Sequence, residues 1–121
     1  MKSKAKPKVK RRSLPTDVLV SGLREVKSYL RSHADLLTIV PGMCGRARAE
    51  FGPEAELTLQ INHDQEIDDP YLILYIRLPA YDSATRKRID AIWESFEDEL
   101  GELSGWIIFT TDFRTATTDA V

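Results

Sequence analysis

Tyr71-Leu72-Ile73-Leu74-Tyr75-Ile76-Arg77-Leu78 is almost continuously apolar and sits between Pro70 and Pro79. A run of this length, rich in branched and aromatic residues and stopped by proline on both sides, reads as an inner strand. It would be covered on both faces, or on one face with an aromatic surface on the other. Upstream, Leu57, Leu59 and Ile61 alternate with Thr58, Gln60 and Asn62, the period-two pattern of a strand with one buried and one wet face. The polar residues 63–69 between the two strands make the turn of an antiparallel hairpin. Downstream, Asp82 or Ser83 can cap a helix whose Ile89, Ile92 or Trp93, Phe96 and Leu100 form an apolar stripe, with Gly101 and Gly105 to stop it. Residues 106–111, Trp-Ile-Ile-Phe-Thr-Thr, then supply a last strand.

Before the hairpin, Ser13 or Thr16 can cap a helix, Pro15 suits its first turn, and Val18, Gly22 or Leu23, Val26, Tyr29 or Leu30, and Leu37 recur at helical spacing. This predicts a first helix over about residues 15–35, with Pro41-Gly42 ending the regular structure that follows it. Residues 46–51 alternate like an edge strand but carry little apolar weight, so a strand and an irregular segment both remain open. The element order is α-(β)-β-β-α-β. It implies an α+β fold, a two-layer sandwich with two helices on one face of a three- to four-stranded mixed sheet. If the connection from the 71–78 strand to the 106–111 strand is parallel, the 63–69 turn lies at one end of the sheet. Asp82, Asp112 and Arg114 then lie about 25 Å away at the other, since eight residues of strand advance about 3.3 Å each.

The chain has 121 residues, 42% hydrophobic and 30% charged, which suits one globular domain. Its net charge of -2 hides an asymmetry. Seven cations (Lys2, Lys4, Lys6, Lys8, Lys10, Arg11 and Arg12) occupy residues 1–12 with no acid among them, leaving the rest of the chain at about -9. The first twelve residues cannot offset the entropy of ordering them and read as a disordered basic arm. Residues 13–114 form the single domain and 115–121 a flexible C-terminal tail. No apolar run approaches the length of a membrane span and no apolar core follows the N-terminal charges, which points to a soluble cytoplasmic protein. The single cysteine, Cys44, fits a reducing compartment and a structural rather than a reactive role.

No stretch has the spacing of a catalytic, metal or cofactor motif. Counted from Asp64, the acidic turn lacks the glycine and the twelfth-position acid of a calcium loop, because Asp69 and Tyr75 stand there. His33 and His63 have no histidine partner at zinc-helix spacing. Cys44 has Glu50 where a phosphatase loop needs arginine, and the glycines lack the order of a nucleotide loop. The expectation is therefore no cofactor, no metal and no enzymatic activity.

Three sets of residues carry the functional expectations. Tyr71, Tyr75, Arg77 and Trp106, with Glu66, Asp68 and Asp69 of the acidic turn, are candidates for binding a partner. Lys8, Lys10, Arg11 and Arg12 of the arm, with Arg86, Lys87 and Arg88 at the start of the second helix, are candidates for an anion or nucleic acid. Asp82, Asp112 and Arg114, at the C-terminal ends of parallel strands, are the weakest candidate, for a ligand pocket. The leading expectation is a non-catalytic interaction module: a homodimer, or the partner or adaptor of another protein, including a toxin-neutralising subunit. The alternative is a nucleic-acid-binding accessory protein that uses the arm and the basic start of the second helix. An acidic body and the absence of an aromatic-plus-basic sheet surface weigh against that alternative. Neither reading involves a membrane.

Overall fold

The computed structural model describes residues 17–62 and 70–115. Lys8, Lys10, Arg11 and Arg12 of the arm and Glu66, Asp68 and Asp69 of the acidic turn lie outside the described residues. The elements are β1 (Leu19–Val20), α1 (Leu23–Ser32), a 3-10 turn (Ala34–Thr38), α2 (Val40–Phe51), β2 (Glu56–Asn62), β3 (Tyr71–Arg77), α3 (Thr85–Glu94), α4 (Glu97–Leu100) and β4 (Ile107–Thr110).

The strands form one open, mixed sheet in the order β1-β2-β3-β4. β2 and β3 pair antiparallel from Glu56 opposite Arg77 to Asn62 opposite Tyr71, so the hairpin has the expected form. β4 runs parallel to β3, with Leu72 opposite Ile107 and Tyr75 opposite Thr110. Two strand-helix-strand units therefore flank a central hairpin. The side chains of Leu57, Leu59, Leu72, Leu74, Ile76, Ile107 and Phe109 meet Val26, Leu30, Met43, Cys44, Ala47, Ile89, Ile92 and Leu100 in one core. The helices cover one sheet face, as the α+β sandwich requires.

The structure corrects the sequence reading at three places before the hairpin and in one element after it. The fourth strand is not at residues 46–51. It is β1, only two residues long, and it pairs parallel to β2 with Leu19 opposite Thr58. The helix expected from residue 15 starts at Leu23, because Gly22 adopts φ 70°, a left-handed turn that separates β1 from α1 and that glycine enters without steric cost. Residues 40–51, expected to hold a proline stop and then strand or loop, are helical. Pro41 stands in the first turn of α2, where a missing N–H costs no hydrogen bond, and Val40, Met43, Cys44 and Ala47 form its buried face.

The second expected helix is two. α3 ends at Glu94, and a turn through Ser95 and Phe96 starts α4. The break places Glu97, Asp98 and Glu99 in the first turn of a new helix, where acids suit the positive end of the dipole, and not in the last turn of a single long one. Neither Asp82 nor Ser83 caps α3: Ala84 stands at its N-cap with no side-chain cap, and Asp82 instead forms the turn before it, its Oδ1 accepting from the Ala84 N–H at 2.9 Å and from the Thr85 hydroxyl at 3.0 Å. Arg48 ties the two long connections together by donating to the Ala55 carbonyl at 2.9 Å and the Asp17 carbonyl at 3.1 Å.

Gly105, just before β4, is packed against α1 and the 3-10 turn. A Cβ there would lie 2.7 Å from Leu36 Cδ1 and 3.0 Å from His33 Cβ, and Leu36 is itself fully buried. Gly105→Ala should therefore lower the urea unfolding free energy by about 1–3 kcal/mol. An unchanged midpoint and slope would show that the loop before β4 is not seated on α1 as described.

Candidate functional site

Where β2 and β3 approach their turn, the sheet end, α1 and the loop after α4 enclose an open cleft of about 1040 Å³. Its walls include Tyr29, His33, Ile61, Tyr71, Leu103 and Trp106. Tyr29 on α1 and His33 at its C-cap come one turn apart, their rings tilted at 41° with centres 4.5 Å apart. Tyr29 Oη accepts from the Trp106 backbone N–H at 3.0 Å, which joins α1 to the start of β4. Trp106 is 37% exposed and meets Trp93 edge-on at 5.9 Å. Trp93 in turn donates its indole N–H to the Ile107 carbonyl at 2.9 Å, occupying a backbone acceptor of the outer strand.

Beside the cleft, His33, Asp35 and Ser104 are hydrogen-bonded in a sequence that determines their chemistry. Ser104 donates its hydroxyl to Asp35 Oδ1 at 2.9 Å and its backbone N–H to Asp35 Oδ2 at 2.8 Å, and His33 Nδ1 lies 3.0 Å from the same hydroxyl. Acyl transfer needs the imidazole between carboxylate and hydroxyl, so that it can take the hydroxyl proton. Here the hydroxyl is in the middle and its single proton is directed to the carboxylate. The arrangement fastens the loop after α4 to the 3-10 turn and does not activate a nucleophile. The Ser104 backbone N–H, more than any other group, holds the Asp35 carboxyl below its ordinary range, against the opposing effect of desolvation.

The partner-binding candidates separate into two places. Tyr71 and Trp106 meet at the cleft, whereas Tyr75 and Arg77 lie farther along β3, on the sheet face away from the helices, with the Arg77 guanidinium 5.6 Å from the Tyr75 ring centre. Of the basic candidates on α3, Arg86 pairs with Asp90 at 3.3 Å and Arg88 with Glu50 at 2.6 Å. Arg88 also donates to the Glu50 carbonyl near the C-terminal end of α2 and lies over the Phe51 ring. Lys87 is exposed and has no ion-pair partner among the described residues.

At the opposite sheet end, Asp112 and Arg114 are 3.6 Å apart, and both Asp112 oxygens accept from Arg77, at 3.2 and 2.8 Å. Asp82 is engaged separately by Ala84 and Thr85. Tyr81 closes this end: its hydroxyl accepts from the Leu78 N–H at 3.0 Å, lies 3.2 Å from the Thr111 hydroxyl and donates to the Arg114 carbonyl. Phe113, at φ 61°, packs edge-on against Tyr81. These contacts make a clasp at the end of the sheet, with Asp112 already saturated by arginine.

Cys44 is buried in the core, and desolvation, aided by the nearby Asp17 charge, pushes its thiol up to about 12. It is protonated at neutral pH and a poor nucleophile. Among the described residues no three histidine, cysteine or acidic side chains come together as a metal site, and no helix is long and apolar enough to cross a membrane.

Sequence reasoning missed Tyr29, His33, Asp35 and Ser104. The four-residue spacing of Tyr29 and His33 was visible, but Ser104 is 71 positions from His33 and no local pattern joins them. Comparison with protein families, with curated proteins and with solved structures finds no match, so the arrangement stands on its own geometry.

The Arg77 hydrogen bonds are the largest influence holding the Asp112 carboxyl below its usual value, opposed by desolvation and helped by the Arg114 N–H. A carboxyl lowered in the folded state adds stability that is complete above its unfolded value, near pH 4, and is lost as pH falls through the lower folded value. Asp112→Asn should cost about 1–2 kcal/mol at pH 7, and the gap in melting temperature from the native chain should begin to narrow below about pH 4 and close only once the pH is under the lowered folded value. A gap equally wide at both pH values would rule out this ionic clasp.

Proposed function

We propose that the chain is a non-catalytic protein-interaction module whose cleft receives a basic segment of a partner protein, anchored by one apolar side chain. The observation that carries this reading is the meeting of Tyr29, Tyr71 and Trp106, from three separate elements, in an open cleft beside an uncompensated acidic surface. Glu94, Glu97, Asp98, Glu99 and Glu102 are exposed and have no ion-pair partner among the described residues. They are interleaved with Leu100, Gly101 and Leu103, which line the cleft. Aromatic walls offer a large contact area at low entropic cost, and flanking acids select a cationic partner and speed its encounter. The Ser104-centred hydrogen bonds and the Tyr29 contact to Trp106 hold the walls in place without a partner, which reduces the cost of ordering on binding.

The nucleic-acid alternative receives less support on α3, where Arg86 and Arg88 already have carboxylate partners. A homodimer formed by pairing β4 edges is disfavoured by Trp93, whose indole N–H occupies the Ile107 carbonyl.

The test uses a tryptophan-free, lysine-rich peptide with one central leucine, titrated while tryptophan emission is followed. A saturable change with micromolar to millimolar affinity is expected, weakening as salt rises. Binding should be lost in Tyr71→Ala and reduced in Asp98→Lys/Glu102→Lys, with a glutamate-for-lysine control peptide silent. Equal binding of the acidic control, or no response to the basic peptide at millimolar concentration, would remove the basis of the proposal.

A further inference from the structure

We infer that His33 is a specificity-determining residue of the cleft: its Nε2 is held as a hydrogen-bond acceptor and receives a cationic N–H, of an ammonium or guanidinium, from the basic segment of the partner. The partner rests on the function proposed above, whereas the state of the imidazole does not. Protons shared among Asp35, Ser104 and His33 fix that state. Both Asp35 oxygens accept from Ser104, one from the hydroxyl at 2.9 Å and one from the backbone N–H at 2.8 Å. The second of these bonds is the main reason the carboxyl lies below its ordinary range, so at neutral pH it has no proton to give. The 2.9 Å contact therefore uses the single hydroxyl proton of Ser104. His33 Nδ1, 3.0 Å from the same oxygen, meets a lone pair there and is itself the donor. A neutral imidazole has one N–H, so with that proton on Nδ1 the other nitrogen, Nε2, keeps its lone pair.

Packing around the ring leaves that lone pair to the cleft. His33 ends α1, where its backbone N–H donates to the Tyr29 carbonyl at 2.9 Å. The inner edge of the side chain lies against Gly105, since a Cβ added to the glycine would stand 3.0 Å from both Cβ and Cγ of His33. Nδ1 is taken by Ser104, and the Tyr29 ring lies alongside. With Cγ and Nδ1 turned to the loop after α4, the outer edge that carries Nε2 is the part with which His33 lines the cleft. Among the described residues no hydrogen bond reaches Nε2. Arg24 and Glu25 line the same cleft with opposite charges, and Asp35, one hydroxyl away from the imidazole, leaves this wall negative. Tyr29, Tyr71 and Trp106 add ring faces that attract a cation. A carboxylate or carbonyl oxygen placed at Nε2 would meet lone pair with lone pair, so the same atom that accepts a donor rejects an acidic ligand.

The test reads the imidazole by nitrogen NMR in the full chain at about pH 8.5, above the range in which imidazoles change charge. His33→Asn identifies the His33 signals and separates them from those of His63. Nδ1 should carry the proton and Nε2 should have the shift of an unprotonated nitrogen. The reverse tautomer, or a proton on both nitrogens, overturns the inference. Butylammonium at millimolar concentration should move the Nε2 signal, while its N-trimethyl counterpart, with the same charge and no N–H, should leave it in place. Equal displacement by both cations, or by neither, is a second contrary result. In the titration with the lysine-rich peptide, His33→Asn keeps an amide N–H for Ser104 but presents nothing at the Nε2 position, whereas His33→Gln can place an amide oxygen there. The dissociation constant should rise about 10-fold in His33→Asn and stay within about threefold of the native value in His33→Gln. Equal losses in the two variants would contradict a role for the acceptor. A response to butylammonium without any binding of the peptide would instead strike the protein partner of the proposed function and leave the donor site standing.

Discussion

The burial of one side of β3 holds the molecule together. Leu72, Leu74 and Ile76 are fully buried because β3 is hydrogen-bonded to a neighbour on each side and roofed by helices on one face. That arrangement removes each side chain from water at about 1.5–3 kcal/mol apiece, and it satisfies the backbone polar groups that would otherwise oppose burial. The rest follows from position relative to β3. β2 and β4 are fixed beside it, with α1 packed on β2 and α3 on β4, and the cleft begins where its covered side ends. Tyr71, at its start, enters the cleft, while Tyr75 and Arg77 look out on the opposite face.

Periodicity made most of this frame legible. β2, β3 and β4 show themselves by period two or by continuous apolarity between prolines, and α3 shows its stripe through Ile89 and Ile92. What escaped was short or ambiguous. Two residues cannot display a period, so β1 was invisible as a strand, and its neighbours Val18 and Leu23 merged with the pattern of α1. Pro41-Gly42 signals a break wherever helix precedes it, but here it follows a 3-10 turn and opens α2. Arg46-Ala47-Arg48-Ala49 suits helix and edge strand alike. The burial of Met43, Cys44 and Ala47 against the core settles the matter as helix, a tertiary effect absent from local propensity.

The candidate site was legible in its ingredients and hidden in its assembly. Tyr71 and Trp106 stand out as aromatic residues in the apolar runs, yet only the parallel pairing of β3 with β4, which begins at Leu72 opposite Ile107, brings both to the cleft. Tyr29, His33, Asp35 and Ser104 have no local signature, because each acts across long sequence separation. Conversely, Arg86, Arg88 and Asp112 resembled binding groups in the sequence and are occupied in the fold by Asp90, Glu50 and Arg77. Charges that are satisfied within the fold leave the uncompensated acids of α4 as an electrostatic feature directed outward among the described residues.

Residue-resolved hydrogen exchange tests the central position of β3 most directly. The amides of residues 72–76 should exchange only through global unfolding, with free energies that match the unfolding value from denaturant, while those of α1 and β1 open at lower cost. If the β3 amides instead exchanged as fast as those of β1, or opened well below the global value, β3 would not be the strand on which the sheet is built.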